Sequence, residues 1–227
     1  MPVAGPEGVR PPLRFAWMGE AALLCDPSAG HLSDLLQQKI WTLADRAVAL
    51  ACVREVVPGM NNFLVVFDPC LVTREELERH LLDLWQDAGA ERRAGKTHEI
   101  PVIYGGPGGE DLAFVARQCG LAIEEVVRRH AASDFMVYAL GAHPGFGYLS
   151  GMDPSLATPR RAVPRTRVEA GSITIGGSQS GFVACTSPSG WHILGRSSVR
   201  FFDPAAQPPA LLAPGDHVRI IIEDILP

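Results

Sequence analysis

The apolar residues of the first third of the chain change period from element to element. Phe15 to Met18 and Ala21 to Cys25, parted by Gly19-Glu20, are apolar runs too short for a helix and predict two strands. Residues 32–51 set Leu32, Leu35, Leu36, Ile40, Leu43, Ala44, Ala47 and Val48 at helical spacing, which predicts an amphipathic helix. Val53 to Val57 and Phe63 to Phe67 predict two more strands, the second a nearly continuous apolar run suited to a buried position. Thr73 and Glu76 have the spacing of a capping box and open a second helix that carries Leu77, Leu81, Leu84 and Trp85 on one side, ending at Gly89. The order ββαββα, closing on a strand near His98 to Ile103, predicts an α+β sandwich of the ferredoxin-like kind with its helices on one sheet face.

Past residue 95 the pattern changes, so the domains are expected at 13–95 and 96–227, with residues 1–12, rich in Pro and Gly, as a flexible arm. Two short helices, Asp111 to Cys119 and Glu124 to His130, are broken at Gly120. From Phe135 the helix period vanishes. Short apolar runs alternate with Gly and Pro turns at 135–140, 172–175, 181–184, 191–194 and 218–222, which predicts a β-barrel or sandwich.

Composition narrows the function classes. At 227 residues and 47% hydrophobic the chain buries a substantial core. Five scattered cysteines with no CxxC pair argue against a disulfide framework or zinc knuckle and fit a reducing compartment, so the expected address is the cytoplasm. No segment approaches the length of a membrane span, and a formal charge of −5 without a lysine block argues against nucleic acid as a partner.

The chemistry-bearing stretches are loops. In GAHPGFGYLSG, residues 141–151, glycines leave the His143 ring accessible next to Pro144, Gly145, Phe146 and Tyr148, and equally the ring suits a hydrogen bond to the loop's own backbone. In PRRAVPRTR, residues 159–167, Pro159 and Pro164 stiffen the backbone that presents Arg160, Arg161, Arg165 and Arg167. Stiff guanidinium groups suit two-pronged capture of a carboxylate or phosphate, and equally suit ion pairs with the protein's own acids. Residues 171–181, GSITIGGSQSG, offer Ser178, Gln179 and Ser180 as neutral hydrogen-bonding groups, and Ser187 to Gly190 form a turn that delivers Trp191. Other features read as structural. Tyr104-Gly105-Gly106-Pro107-Gly108-Gly109 lacks the Lys-Ser/Thr of a phosphate loop, Asp111 stands where a helix cap belongs, and His31, His80, His98, His130 and His217 read as surface or core-edge residues. Cys185 has no basic neighbour in sequence, and no pair of histidines has metal-ligand spacing.

From GAHPGFGYLSG through PRRAVPRTR and AGSITIGGSQSG to SPSGW and Gly195-Arg196, the chain resembles the family that contains the B subunit of the prokaryotic 5-oxoprolinase, allophanate hydrolase subunit 1 and the sporulation-kinase inhibitor KipI. Tyr104-Gly105-Gly106, Gly120-Leu121, Val56 to Pro58 and Gly19-Glu20 extend the resemblance upstream. It implies a cyclophilin-like β-barrel after the α+β domain, with Arg196 joining the substrate-binding candidates. It further implies a subunit that works with a paralogous cyclophilin-like chain and a third subunit to open 5-oxo-L-proline, a small carboxylate, to L-glutamate. The resemblance also implies that the assembled complex uses ATP with Mg, and no cofactor or metal is expected on this chain itself. A kinase inhibitor of the KipI kind and half of a urea or allophanate carboxyltransferase-type enzyme are the competing expectations. Ala142-His143, Gly147 and Ser189 depart from the family pattern and bear on the substrate more than on the fold.

Overall fold

The computed structural model describes residues 12–28, 32–90 and 93–227. The expected arm lies almost wholly outside these residues. The chain divides between Arg93 and Ala94 into two compact units.

The first unit holds β1 (Arg14–Trp17), β2 (Ala22–Asp26), α1 (Asp34–Ala47), β3 (Val53–Pro58), β4 (Phe63–Phe67) and α2 (Arg74–Asp87). Its four strands form one antiparallel sheet in the order β1-β2-β4-β3. In β4, Phe63, Val65 and Phe67 point to one face and are buried there with Leu23, Ile40, Leu43, Leu77, Leu81 and Trp85. Helix α1 starts at Ser33, whose hydroxyl accepts from the Leu36 amide. Leu32, Leu35 and Val48, expected on its apolar stripe, are exposed instead, because Ile40, Leu43 and Ala47 already fill the sheet-facing side. Asn61, held at a left-handed φ of 57°, and Gln37 tie the β3–β4 turn to the start of α1: the Asn61 amide donates to Gln37 Oε1 at 2.6 Å, and Asn61 Oδ1 accepts from the Ser33 amide at 2.6 Å. Helix α2 opens with both halves of the Thr73–Glu76 capping box.

The second unit contains β5 (Thr97–Gly105), α3 (Leu112–Cys119), α4 (Ile123–Ala131), β6 (Phe135–Leu140), β7 (Gly147–Ser150), β8 (Arg165–Val168), β9 (Ser172–Gly176), β10 (Gln179–Phe182), β11 (Ser187–Ser189), β12 (His192–Arg196) and β13 (His217–Leu226). Seven strands close a barrel in the order β10-β7-β6-β13-β5-β12-β9, with β8 and β11 as a separate ribbon. The strand expected to close the first unit is therefore a barrel strand. It runs parallel to β13 along its whole length, a pairing between distant segments that local sequence does not encode.

The barrel interior holds Val102, Phe135, Val137, Leu149, Ile173, Ile175, Phe182 and Leu194, among others. A polar chain runs through it. The Tyr104 hydroxyl lies 2.8 Å from His130 Nδ1, His130 Nε2 lies 3.0 Å from Ser180 Oγ, and Ser180 Oγ donates to the Thr174 carbonyl. One tautomer satisfies every link: His130 Nε2–H donates to Ser180, and Nδ1 accepts from Tyr104. His130 is fully buried. This corrects its surface or core-edge assignment, since a single helix-borne position carries no sign of the two strands that receive it.

Candidate functional site

The glycine-rich loop, the Pro-spaced arginines and the SPSGW segment converge on one side of the barrel sheet; Ser187–Ser189, expected as a turn, is strand β11, because it pairs with β8. Strand alternation sends Leu149 and Ser180 inward, while Tyr148 and its cross-strand partner Gly181 face the other way. On that outward face Phe146, Tyr148 and Trp191 meet edge to face, with ring centroids 4.8 Å (Phe146–Tyr148), 5.7 Å (Phe146–Trp191) and 6.0 Å (Tyr148–Trp191) apart. His143 sits edge-on to Phe146 at 5.2 Å, and the Arg160 guanidinium lies 5.5 Å from the Trp191 ring centre.

Backbone without side chains forms the floor of this patch. A Cβ on Gly181 would come within 2.6 Å of Phe146 Cζ, and one on Gly176 within 2.7 Å of Trp191 Cδ2. Gly145, at φ 79°, turns the loop so that the Phe146 amide donates to the His143 carbonyl, while the Gly141 amide donates to the Phe146 carbonyl. Thr158 bridges Gly177, and the Arg161 amide donates to the Gly190 carbonyl at 2.8 Å, so the Pro159–Arg160 segment is laid along the edge beside Trp191. Gln179 shares the Tyr148 face and is half-buried; Ser178 is exposed at the tip of the β9–β10 turn.

The other arginines go elsewhere. Asp111 accepts from Arg165 at 2.7 and 3.0 Å, from Arg161 Nη1 at 3.0 Å and from the Ile193 amide at 2.8 Å; Arg165 also reaches Glu110 at 3.1 Å. Burial by itself pushes the Asp111 carboxyl up. The Arg165 and Ile193 bonds and the charges of Arg165 and Arg161 outweigh it and hold the group below the usual carboxylate range. Two expectations are corrected here. Asp111 makes no side-chain cap bond to its helix, because the guanidinium groups and the Ile193 amide claim both oxygens. Arg165 is paired through Nη1 and Nη2 with the protein's own acids Asp111 and Glu110, the internal ion pair rather than an unpaired guanidinium, and Arg161 gives Nη1 to the cluster. Arg167 pairs with Glu169 on the surface.

Arg196 lines a different cleft of about 640 Å³, with Gly105, Pro107, Gly108, Ser198 and Arg200 among its walls. Its stem passes Gly108 and Gly171, and among the described residues it makes no hydrogen bond or ion pair. Sequence alone did not bring the Tyr104–Gly109 loop to this arginine. The β5–β12 pairing does so, setting Ile103 opposite Arg196.

Among the described residues no cluster of His, Cys, Asp and Glu has the arrangement to hold a metal ion, and no helix is long and apolar enough to cross a membrane. Burial, with a smaller push from Glu78, raises the Cys25 thiol, so that sulfur stays protonated. Cys185 is half-buried and contacts the Pro144 carbonyl oxygen at 3.6 Å.

Fold and site together define an α+β protein in which a small sheet-and-helix unit precedes a closed barrel bearing an aromatic, glycine-floored patch. The chain belongs to the carboxyltransferase domain, subdomain C and D, family, whose model matches residues 13–212. It is 45% identical to the B subunit of 5-oxoprolinase from Escherichia coli O157:H7 over 82% of this chain and 85% of that one. With the B subunit of 5-oxoprolinase from Haemophilus influenzae it shares 38% identity over 92% of this chain and 97% of the relative. The crystal structure of TTHA0988 superposes with a TM-score of 0.75 at 35% identity, covering 88% of this chain and 39% of that one, so this chain spans about two-fifths of that longer protein.

Proposed function

We propose that this chain is the B subunit of a 5-oxoprolinase, opening 5-oxo-L-proline to L-glutamate with ATP hydrolysis in a complex with a second cyclophilin-like subunit and a third partner. One observation carries the reading: identity of 45% that covers 85% of a relative named as the B subunit of 5-oxoprolinase, and so runs through both units rather than one motif. The patch chemistry agrees. Phe146, Tyr148 and Trp191 give a small ring an apolar wall, and His143, Ser178 and Gln179 stand as hydrogen-bonding groups at its rim. Arg160 makes no ion pair among the described residues, and of the PRRAVPRTR arginines it is the one left to meet a substrate carboxylate. Within the reaction this chain binds and orients, while ATP and the bond-breaking groups come from the partners.

The N-terminal unit reads as ferredoxin-like: its order β1-β2-β4-β3 is that of a split β-α-β sheet whose last strand has moved to the front of the chain. Five unpaired cysteines fit a cytoplasmic address.

The test is reconstitution. ADP and glutamate are measured for the chain alone, for the partners alone and for the mixture, on 5-oxoproline, urea and allophanate. Turnover of 5-oxoproline only in the full mixture is the expected result. Activity of the isolated chain, or a mixture that prefers urea or allophanate, overturns the reading.

A further inference from the structure

Strand β13 outlasts the strand beside it. Its ladder with β6 holds two residue pairs, His217 with Met136 and Val218 with Phe135, whereas its ladder with β5 runs on to Leu226. The barrel closes through those two pairs, and from Arg219 onward one edge of β13 pairs with no strand among the described residues. Strand alternation says which backbone groups face that opening. The His217 amide donates to the Lys96 carbonyl at 2.8 Å, on the β5 side, so the main-chain groups of Ile220 and Ile222 point the other way. The Ile225 amide donates to its neighbour's side chain, Asp224 Oδ1, at 2.8 Å, a local substitute for a strand partner. Helix α4 packs against β13, yet Ile221, Ile222 and Ile225 remain 41%, 43% and 36% exposed. Ile222 and Ile225 stand opposite Val102 and Tyr104, both fully buried, so they share the core-facing side of the sheet and are left wet where no strand follows β13. Residues 219–226 contain no Lys or Pro, the usual guards of an open edge, and such an edge is a template for another strand.

The edge is complementary to itself. Glu223 is the extra residue of a bulge, because Ile222 pairs with Val102 and Asp224 with the next residue, Ile103. Lay two copies antiparallel about a two-fold axis at Ile221, with the bulge counted as one position. Ile221 then meets Ile221, while Ile220 of each copy meets Ile222 of the other and exchanges main-chain hydrogen bonds with it. Arg219 of each copy meets Asp224 of the other. Arg219 and Asp224 lie on the same face, opposite Glu99 and Ile103 of β5, so opposite charges stand across the seam twice. Val218, already paired with Phe135, ends the seam on both sides. We infer that the free edge of β13 is the seam of a homodimer, two copies of this chain joined by antiparallel pairing of residues 219–224. Arg219 is available for it: its pair with Glu99, at 3.1 Å, is exposed on both sides and worth little. Asp224 keeps Oδ2 for the contact, since Oδ1 serves the Ile225 amide.

The test is charge reversal in the full chain, read by native mass spectrometry and sedimentation equilibrium over about 1–200 µM, because a seam this short is small. The wild type is expected to dimerise. Arg219→Asp and Asp224→Arg each set like charges across the seam twice, and each is expected to raise the dimer dissociation constant about tenfold or more, the weight of two cross-strand pairs. Mixed in equal amounts, the two variants restore opposite charges at both pairs and are expected to form a heterodimer, recognised by its mass. The variant carrying both substitutions is expected to dimerise with itself. Far-UV circular dichroism and the urea midpoint report whether each variant folds. Ile222→Lys, at a position already open to water, is the second probe and is expected to leave a folded monomer. A wild type that stays monomeric throughout overturns the inference. So does a dimer that survives Ile222→Lys or either reversal, and so do two folded reversal variants that fail to recombine. None of the seam residues belongs to the aromatic patch or the Asp111 cluster, so these outcomes are independent of the proposed function.

Discussion

A methyl group at position 181 would lie 2.6 Å from Phe146 Cζ, closer than real carbon contacts come, and a tight 3.0 Å from the Gly147 carbonyl oxygen. Gly181→Ala must therefore push the Phe146 ring off the sheet, and because that ring is edge-on to Trp191 the indole environment moves with it. The expected outcome is a loss of about 1–3 kcal/mol in urea unfolding and a changed Trp emission spectrum, as for other overpacked sites; an unaltered spectrum with full stability would show that the ring does not lie on bare backbone. The aromatic and glycine content of the two motifs was legible as loop rather than helix. Which glycine serves which ring was not, since Gly181 follows Phe146 by 35 positions and only the β7–β10 pairing joins them. Likewise the prolines announced stiffly held arginines, but their partner Asp111 lies 54 residues before Arg165, and so the choice between substrate clamp and internal ion pair was open until the fold closed.

Elements with local signals are legible in the sequence. Thr73 and Glu76 announce their helix because a capping box is made within four residues: the Thr73 amide donates to Glu76 Oε2 at 2.9 Å, and the Glu76 amide donates to Thr73 Oγ1 at 3.3 Å. Thr73→Ala should cost about 1 kcal/mol, measured as a lower urea midpoint at unchanged m value, whereas Thr73→Ser should be near neutral; equal losses in both would point away from the cap. Helix α1 shows the limit of periodicity. Its spacing states which residues share a side, but the width of the buried stripe depends on how much of that side the sheet covers, and Leu35 and Val48 fall outside it. Strand β5 shows a second limit: its apolar run was plain, yet its membership in the barrel depends on β12 and β13, which lie about a hundred residues on.

At the scale of the whole barrel, the Tyr104–His130–Ser180 chain links β5, α4 and β10 through the interior, and its central ring must stay neutral. Burial holds His130 down to about 3, against about 6.5 in an unfolded chain. As pH falls below 6.5 the unfolded state therefore takes up a proton that the folded state refuses, and stability drops until both forms are protonated near pH 3. The loss from this one group is on the order of 3–5 kcal/mol across that window, and His130→Gln, which keeps an acceptor for Tyr104 and a donor for Ser180, should flatten it; a wild-type stability curve level from pH 6.5 to 4 would contradict the buried neutral histidine. The sequence by itself determined what is written within a few residues of its cause: the helices and their caps, most strands, the change from a mixed unit to a β-rich one near residue 95, and the loops that carry aromatic, glycine and arginine chemistry. The tertiary structure alone decided which strands close the barrel, which arginines are held by Asp111, where His130 lies, and which bare stretches of backbone carry the rings. These depend on contacts between segments tens of residues apart, and no local spacing encodes such contacts because their geometry exists only after the barrel has closed.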